Sequence, residues 1–280
     1  FRKPFGVALF EDVDAWGWHY KSVAVASQVI GYMLSKFMGI KILTEMPANR
    51  RAASLIGLIV FAELALVLFG FVPAPMNVVF LFFNGLPLGM VFGLVLSFLE
   101  GRRQTEALAA GLSTSFILAD GLTKSVGKLM LDQGVSQFWM PAAVGAVFFL
   151  PLLFFVWMLT RTAPPTVDDV AARSERPRLT AQDRRTFLRR YAGGLIPLLI
   201  MFLLVTILRS IRSDFAPEIW ISLGVETRPE LFSFSEMWVG LLVTLASGVA
   251  VLIADNRRAF RFALASGIVG FIILLVATFA

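Results

Sequence analysis

Arg2 and Arg209 are the residues whose type and placement most suggest chemistry, because each stands inside an otherwise apolar stretch. Arg2 lies nine residues before Glu11 and Arg209 nine residues before Glu218. At about 1.5 Å per helical residue, both guanidiniums fall roughly 13 Å from the end of their stretch. Paired guanidiniums at such a depth could clamp a phosphate or carboxylate through forked hydrogen bonds, for which Arg is better shaped than Lys. The alternative is structural, each Arg pairing with a carboxylate such as Glu63 or Glu236. Lys36 stands in Ser35-Lys36-Phe37. Asp120, Lys124 and Lys128 follow one another at i, i+4 and i+8 and so share one helix face. Asp120 and Lys124 either neutralise one another or divide the labour, Lys124 extending an anion pathway while Asp120 exchanges protons or switches partners. Lys128 is near enough to the stretch's end to snorkel. Lys3 and Arg212 flank the two arginines on other faces, where packing or snorkelling accounts for them. His19 falls at a helix boundary and reads as solvated.

Other chemistries find little support. The chain has no Cys and a single His, which excludes thiol catalysis and disulfides and leaves no basis for a histidine-rich metal site. No hydrolytic constellation or nucleotide loop is visible, so no catalytic residue, cofactor or enzymatic activity is expected.

The elements that must position these charges are membrane helices. Of 280 residues, 58% are hydrophobic, 16% are charged and 27 are Phe, more apolar surface than a soluble chain can bury. A hydrocarbon core of about 30 Å takes roughly 20 apolar helical residues. That length places spans near 20–43, 52–71, 76–99, 105–130, 138–160, 190–213, 233–254 and 258–279. Phe1–Phe10 is apolar but half a span long, ending at Glu11-Asp12-Val13-Asp14, and is read as the latter part of a first helix. No basic, apolar and small-residue pattern marks it as a signal peptide.

Orientation follows from charge. Alternate connections hold Lys41, Arg50 and Arg51, then Arg102 and Arg103, then Arg161, Arg173, Arg176, Arg178, Arg184, Arg185, Arg189 and Arg190, then Arg257, Arg258 and Arg261. The opposite connections hold Arg228 among acids such as Glu11, Asp12, Asp132, Asp214 and Glu218. The basic connections are therefore expected in the cytoplasm. Net charge is +6. It belongs to this topology rather than to nucleic-acid binding. Trp16, Trp18, Trp139 and Trp220 lie at the opposite boundary, as an aromatic belt should.

Residues 161–189, with Ala163-Pro164-Pro165 and a run of charges, read as a cytoplasmic linker. The expected organisation is a six-helix bundle over 1–160 with helix 1 truncated, the linker, and over 190–280 the first three helices of a second bundle. An offset of 207 residues aligns Arg2 with Arg209, Glu11 with Glu218, and Asn49-Arg50-Arg51-Ala52 with Asn256-Arg257-Arg258-Ala259. Such a repeat predicts twelve helices in a whole protein, of which this chain holds eight in full and part of one. Two repeated bundles with a site between them is a common plan among transporters. Gly85, Gly89 and Gly93 form overlapping GxxxG patterns, a close-packing face that Pro87 could bend.

These residues resemble the major facilitator superfamily, and within it the organophosphate:phosphate antiporters. Phe1-Arg2-Lys3-Pro4-Phe5 resembles their first-helix Arg-Lys motif, and Ser35-Lys36-Phe37 their second-helix segment. Asn84-Gly85-Leu86-Pro87-Leu88-Gly89-Met90 is similar to their glycine-rich fourth helix. Leu208-Arg209 with Asp214-Phe215-Ala216-Pro217 resembles their seventh. A closer resemblance is to an uncharacterised bacterial domain-of-unknown-function membrane family related to these transporters. It shares the Phe-Arg-Lys-Pro-Phe start, Leu99-Glu100-Gly101-Arg102-Arg103 and Lys124-Ser125-Val126-Gly127-Lys128. The superfamily's Gly-x-x-x-Asp-Arg-x-Gly-Arg loop is altered here, where Gly39 is followed at a distance by Asn49-Arg50-Arg51.

The resemblance implies an all-α, major-facilitator-like bundle in a bacterial inner membrane. Its activity would be secondary transport of a small organic anion, such as an organophosphate or carboxylate, by alternating access. Arg2 and Arg209 would bind substrate, assisted by Lys36, and Asp120 would take the place of a fifth-helix coupling histidine; Lys124 joins the binding candidates through its place on the Asp120 face. The expected partners are the anionic substrate and the bilayer, with no nucleic acid, and the expected state is monomeric. A transporter-shaped receptor or scaffold that binds without moving its ligand is the rival reading.

Overall fold

The computed structural model describes residues 2–102, 105–163, 166–171, 181–253 and 255–279. Phe1, Arg103, Pro164, Pro165, Arg173, Arg176 and Arg178, which entered the readings above, lie outside the described residues.

Each apolar run becomes a helix, the form in which a segment satisfies its own backbone in lipid. The long helices are α1 Tyr20–Glu45, α2 Arg51–Phe71, α3 Val78–Leu99, α4 Thr105–Asp132 and α5 Met140–Thr160. After a short α6, Val167–Ala171, come α7 Ala181–Asp214, a short α8, Ala216–Ser222, α9 Pro229–Leu252 and α10 Asn256–Phe279. They coincide with the eight expected spans. The chain is an all-α membrane bundle, with α2, α3, α5, α7, α9 and α10 long and apolar enough to cross. α1 and α4 are as long but more polar, and they carry Lys21, Gln28 and Lys36, and Asp120, Lys124 and Lys128, respectively. Residues 181–189 of the expected linker are helical and continuous with the span that follows.

The start of the chain differs from expectation. Residues 2–10 do not form the latter part of an α-helix. Pro4–Val7 makes one 3-10 turn, Phe10 has φ 56°, and a small hairpin follows, β1 Asp14–Ala15 with β2 Trp18–His19. Pro4 lacks an N–H, Gly6 weakens a helix, and aromatic packing decides the rest. Phe5 stacks on Phe10 at 5.1 Å and meets Phe69 edge-on at 5.8 Å. Phe10 also packs on Tyr20 and Phe138. Such pairs contribute about 0.5–1.5 kcal/mol each. Lipid offers no hydrophobic drive between helices, so contacts of this kind matter more than area. The hairpin turns on Trp16 and Gly17, both at positive φ, and leaves Trp16 and Trp18 exposed.

α1 and α3 pack most closely, through glycine. A Cβ on Gly31 would overlap the Phe82 carbonyl, one on Gly85 the Gln28 carbonyl, and one on Gly89 the Tyr32 carbonyl. The GxxxG face of α3 is thus a packing face against α1, and it fixes the height of the polar residues on α1. α4 crosses to α9 through Ser125 and Ser233, 2.6 Å apart, and through Thr114 and Thr244, 3.0 Å apart. This contact joins residues from either side of the 161–189 segment. At the basic end, Arg51 donates to the Ser97 carbonyl at 2.8 Å and Arg102 to that of Ala163 at 2.6 Å. Among the described residues, α7 buries none before Ser213 and α10 buries none.

Candidate functional site

Three charged elements meet where residues 2–7, α4 and the end of α7 come together. Asp214 and Ser213 close α7. Asp120 and Lys124 lie one turn apart on α4, and Arg2 and Lys3 reach in from the 3-10 turn. Lys3 Nζ donates to Ser213 Oγ at 2.6 Å and to Asp214 Oδ1 at 3.0 Å. Its distance to Asp120 Oδ2 is 3.7 Å. Lys124, 1% exposed, pairs with Asp120 at 2.9 Å and donates to Ser213 Oγ at 3.0 Å. Ser213 Oγ in turn donates a hydrogen bond to Asp120 Oδ2 at 2.6 Å. One hydroxyl therefore accepts from two lysines and donates to the carboxylate they share.

Arg2 forms the lower edge of this network. It donates to Asp214 Oδ2 at 3.4 Å and to Gln28 Oε1 at 3.3 Å, both long. Gln28 donates to Asn84 Oδ1 at 2.8 Å, and Asn84 to the Ala62 carbonyl at 2.9 Å, so the chain of bonds runs on through α1 and α3 to α2. The Arg2 guanidinium lies 5.1 Å from the centre of the Tyr32 ring, and Lys36 Nζ lies 4.7 Å from the same ring. Gln28, Tyr32 and Lys36 recur at i, i+4 and i+8, which sets them on one face. Lys36 has no carboxylate partner among the described residues.

A second pair sits on the side of the hairpin. Lys21, fully buried, donates to the Gly6 carbonyl at 2.9 Å, pairs with Glu218 on α8 and lies 5.3 Å from the Phe215 ring. Together Arg2, Lys3, Lys21 and Lys124 face Asp120, Asp214 and Glu218, all buried or partly buried, so the cations of the cluster outnumber its carboxylates by one. Arg212 is separate, bonded to Glu236 at 2.8 Å. Lys128 pairs with Asp132 at 2.6 Å near the end of α4.

Of the residues singled out in the sequence, the structure brings together Arg2, Asp120 and Lys124, with Lys36 joined to Arg2 through Tyr32. Arg209 is not in the network. It is exposed, one turn before Ser213 on the same face of α7. Neither Glu63 nor Glu236 pairs with Arg2 or Arg209. Sequence reasoning passed over Lys21, Gln28, Ser213, Asp214 and Glu218, and gave Lys3 a packing role. The available signals were the acid at the Asp214-Phe215-Ala216-Pro217 turn and the placement of Lys21 just inside a helix.

The model of one family, described as a family of unknown function (DUF5690), matches residues 4–280. The chain belongs to that family. In this DUF5690 chain the match begins at Pro4, just after Arg2 and Lys3, and takes in the other residues of the network, on α1, α4, α7 and α8. No curated protein and no solved structure matches it.

Proposed function

We propose that this DUF5690 protein is a secondary carrier of a small organic anion, such as a phosphate ester or carboxylate, working by alternating access. The observation that carries the reading is the buried network in which four cations meet three carboxylates, drawn from both sides of the 161–189 segment. Burying charges costs several kcal/mol each unless they are well paired. A mixed-sign cluster with a surplus cation lowers that cost when an anion arrives. The anion's place is beside Arg2 and Lys36, over Tyr32. There it competes with Asp214 for Arg2, whose present contact is long. Loss of that contact frees Asp214 to hold Lys3 alone, and Asp120 to exchange partners between Lys3 and Lys124. The bonds tying residues 2–7 and α4 to α7 thereby become dependent on substrate. Arg209, one turn nearer the basic end, lines the same approach.

The wider frame belongs to the same proposal. The bundle is major-facilitator-like, monomeric, without enzymatic activity, and sits in a bacterial inner membrane with its basic end in the cytoplasm. A ligand screen by thermal shift, using glycerol phosphate, inorganic phosphate and succinate on the purified full-length protein, tests the site. The expected result is stabilisation by one anion class that Arg2→Ala and Lys36→Ala abolish. Equal stabilisation of both variants would remove the site. The altered connection after Gly39 favours a second reading, a receptor that binds without transport. Binding with no exchange across a liposome membrane selects it.

A further inference from the structure

Glu63 plays no part in the network, yet it is the charged residue most deeply placed in α2. It follows Arg51 by twelve residues and precedes Phe71 by eight, roughly 18 and 12 Å along the helix axis. Its side chain turns into the contact between α2 and α5, where Gly145 makes room for it. A Cβ on Gly145 would overlap Glu63 Oε2. That oxygen is buried and has no hydrogen-bond partner among the described residues.

Among the described residues no charged side chain pairs with it. The helices packed against α2, α3 and α5, contain no Asp, Glu, Lys, Arg or His. Residues 2–10 touch α2 through Phe5 and Phe69. Their charged groups are engaged elsewhere, Arg2 with Gln28 and Asp214, and Lys3 with Ser213 and Asp214. Arg51, at the end of α2, is turned to the Ser97 carbonyl. A carboxylate in such surroundings is costly, and the neutral acid is the form that fits.

We propose that Glu63 is a proton-binding site: a carboxylic acid held neutral in the contact between α2 and α5, which releases its proton to water when that contact opens. The O–H bond breaks, the electron pair stays on the carboxylate, and the proton passes to water. Resting on the carrier reading above, this makes the proton the ion that drives the cycle. Asp120, paired with Lys124 and near Lys3, and Asp214, paired with Lys3 and Arg2, are the contrasting case of carboxylates with cation partners.

Two measurements on the full-length protein in liposomes separate this proposal from the carrier reading. The first is labelling by dicyclohexylcarbodiimide, which attacks protonated carboxyls in apolar surroundings, followed by peptide mass spectrometry at pH 6 and pH 9. Glu63 is expected to be modified, at least several-fold faster at pH 6, while Asp120 and Asp214 stay unmodified. Glu63→Asp retains modification at residue 63 and Glu63→Gln, close in shape, removes it. Absence of labelling at Glu63, or equal rates at the two pH values, overturns the site whether or not the protein transports. The second is uptake of radiolabelled inorganic phosphate driven by an imposed pH gradient. Glu63→Gln is expected to lose gradient-driven accumulation and keep phosphate exchange. Accumulation unchanged in Glu63→Gln overturns the coupling role and leaves the carrier standing. Wild-type protein with labelled Glu63 and no exchange of any tested anion overturns the carrier and the coupling role together, and leaves the proton site standing.

Discussion

Asp120 and Lys124 are a buried pair whose two halves are not equivalent, and this gives a quantitative prediction. Their atoms are 2.9 Å apart and their side chains are 12% and 1% exposed. Removing one partner of a buried pair costs about 3–5 kcal/mol, because a charge is left uncompensated. Here the surroundings break the symmetry. Asp120→Asn takes one carboxylate from a cluster that already has a surplus cation, leaving Lys3 and Lys124 to share Asp214 and two neutral oxygens. Lys124→Met takes a cation instead and brings the cluster to balance, with Asp120 still held by Ser213 at 2.6 Å and near Lys3 at 3.7 Å. Asp120→Asn should therefore carry the full cost, a fall of roughly 6–20 °C in unfolding midpoint. Lys124→Met should cost less than half of that, and the double variant should resemble Lys124→Met rather than the sum. Intrinsic fluorescence melts of the purified protein in detergent measure all three. Equal shifts for the single variants, or additive shifts in the double, would refute the argument from charge balance.

Three further outcomes follow from contacts already described. Gly145→Ala should lower the unfolding midpoint by several degrees through overlap with Glu63, and adding Glu63→Ala should restore most of the loss, as read in a melt-based double-mutant cycle. Gly85→Val or Gly89→Val drives a side chain into the α1 backbone, so size-exclusion chromatography should show loss of the monodisperse folded peak, whereas Gly57→Ala, open on all sides, should leave it intact. Arg209→Ala should leave the midpoint within about 1 °C, since surface changes without buried partners stay near ±0.5 kcal/mol. The same variant should weaken the anion-dependent thermal shift that Arg2→Ala abolishes.

The helices were legible in the sequence because twenty apolar residues have few ways to satisfy their backbone in lipid. The glycine face of α3 was legible because Gly85, Gly89 and Gly93 keep a spacing of four. Residues 2–10 were not, since a short apolar run is compatible with a helix or a packed 3-10 turn. The choice depended on Phe69 and Phe138, far away in sequence. The site was legible in part. Asp120 and Lys124 revealed their pairing through i, i+4 spacing, and Arg2 stood out as a charge in an apolar run, although the helical depth expected for it fails because residues 2–10 are not an α-helix. Asp214 and Glu218 stayed hidden because acids at the end of an apolar stretch look like boundary markers. Only the fold brings them to Lys3 and Lys21, more than 190 positions away in the chain.

Anion counterflow most directly tests the claim that the buried network serves transport. Proteoliposomes of the full-length protein, preloaded with unlabelled glycerol phosphate, phosphate or succinate, would be diluted into trace label of the same anion. The account predicts transient accumulation of label for one of these classes, abolished by Arg2→Ala and by Lys36→Ala while both variants remain folded. Specific binding of the same anion with no counterflow would contradict it.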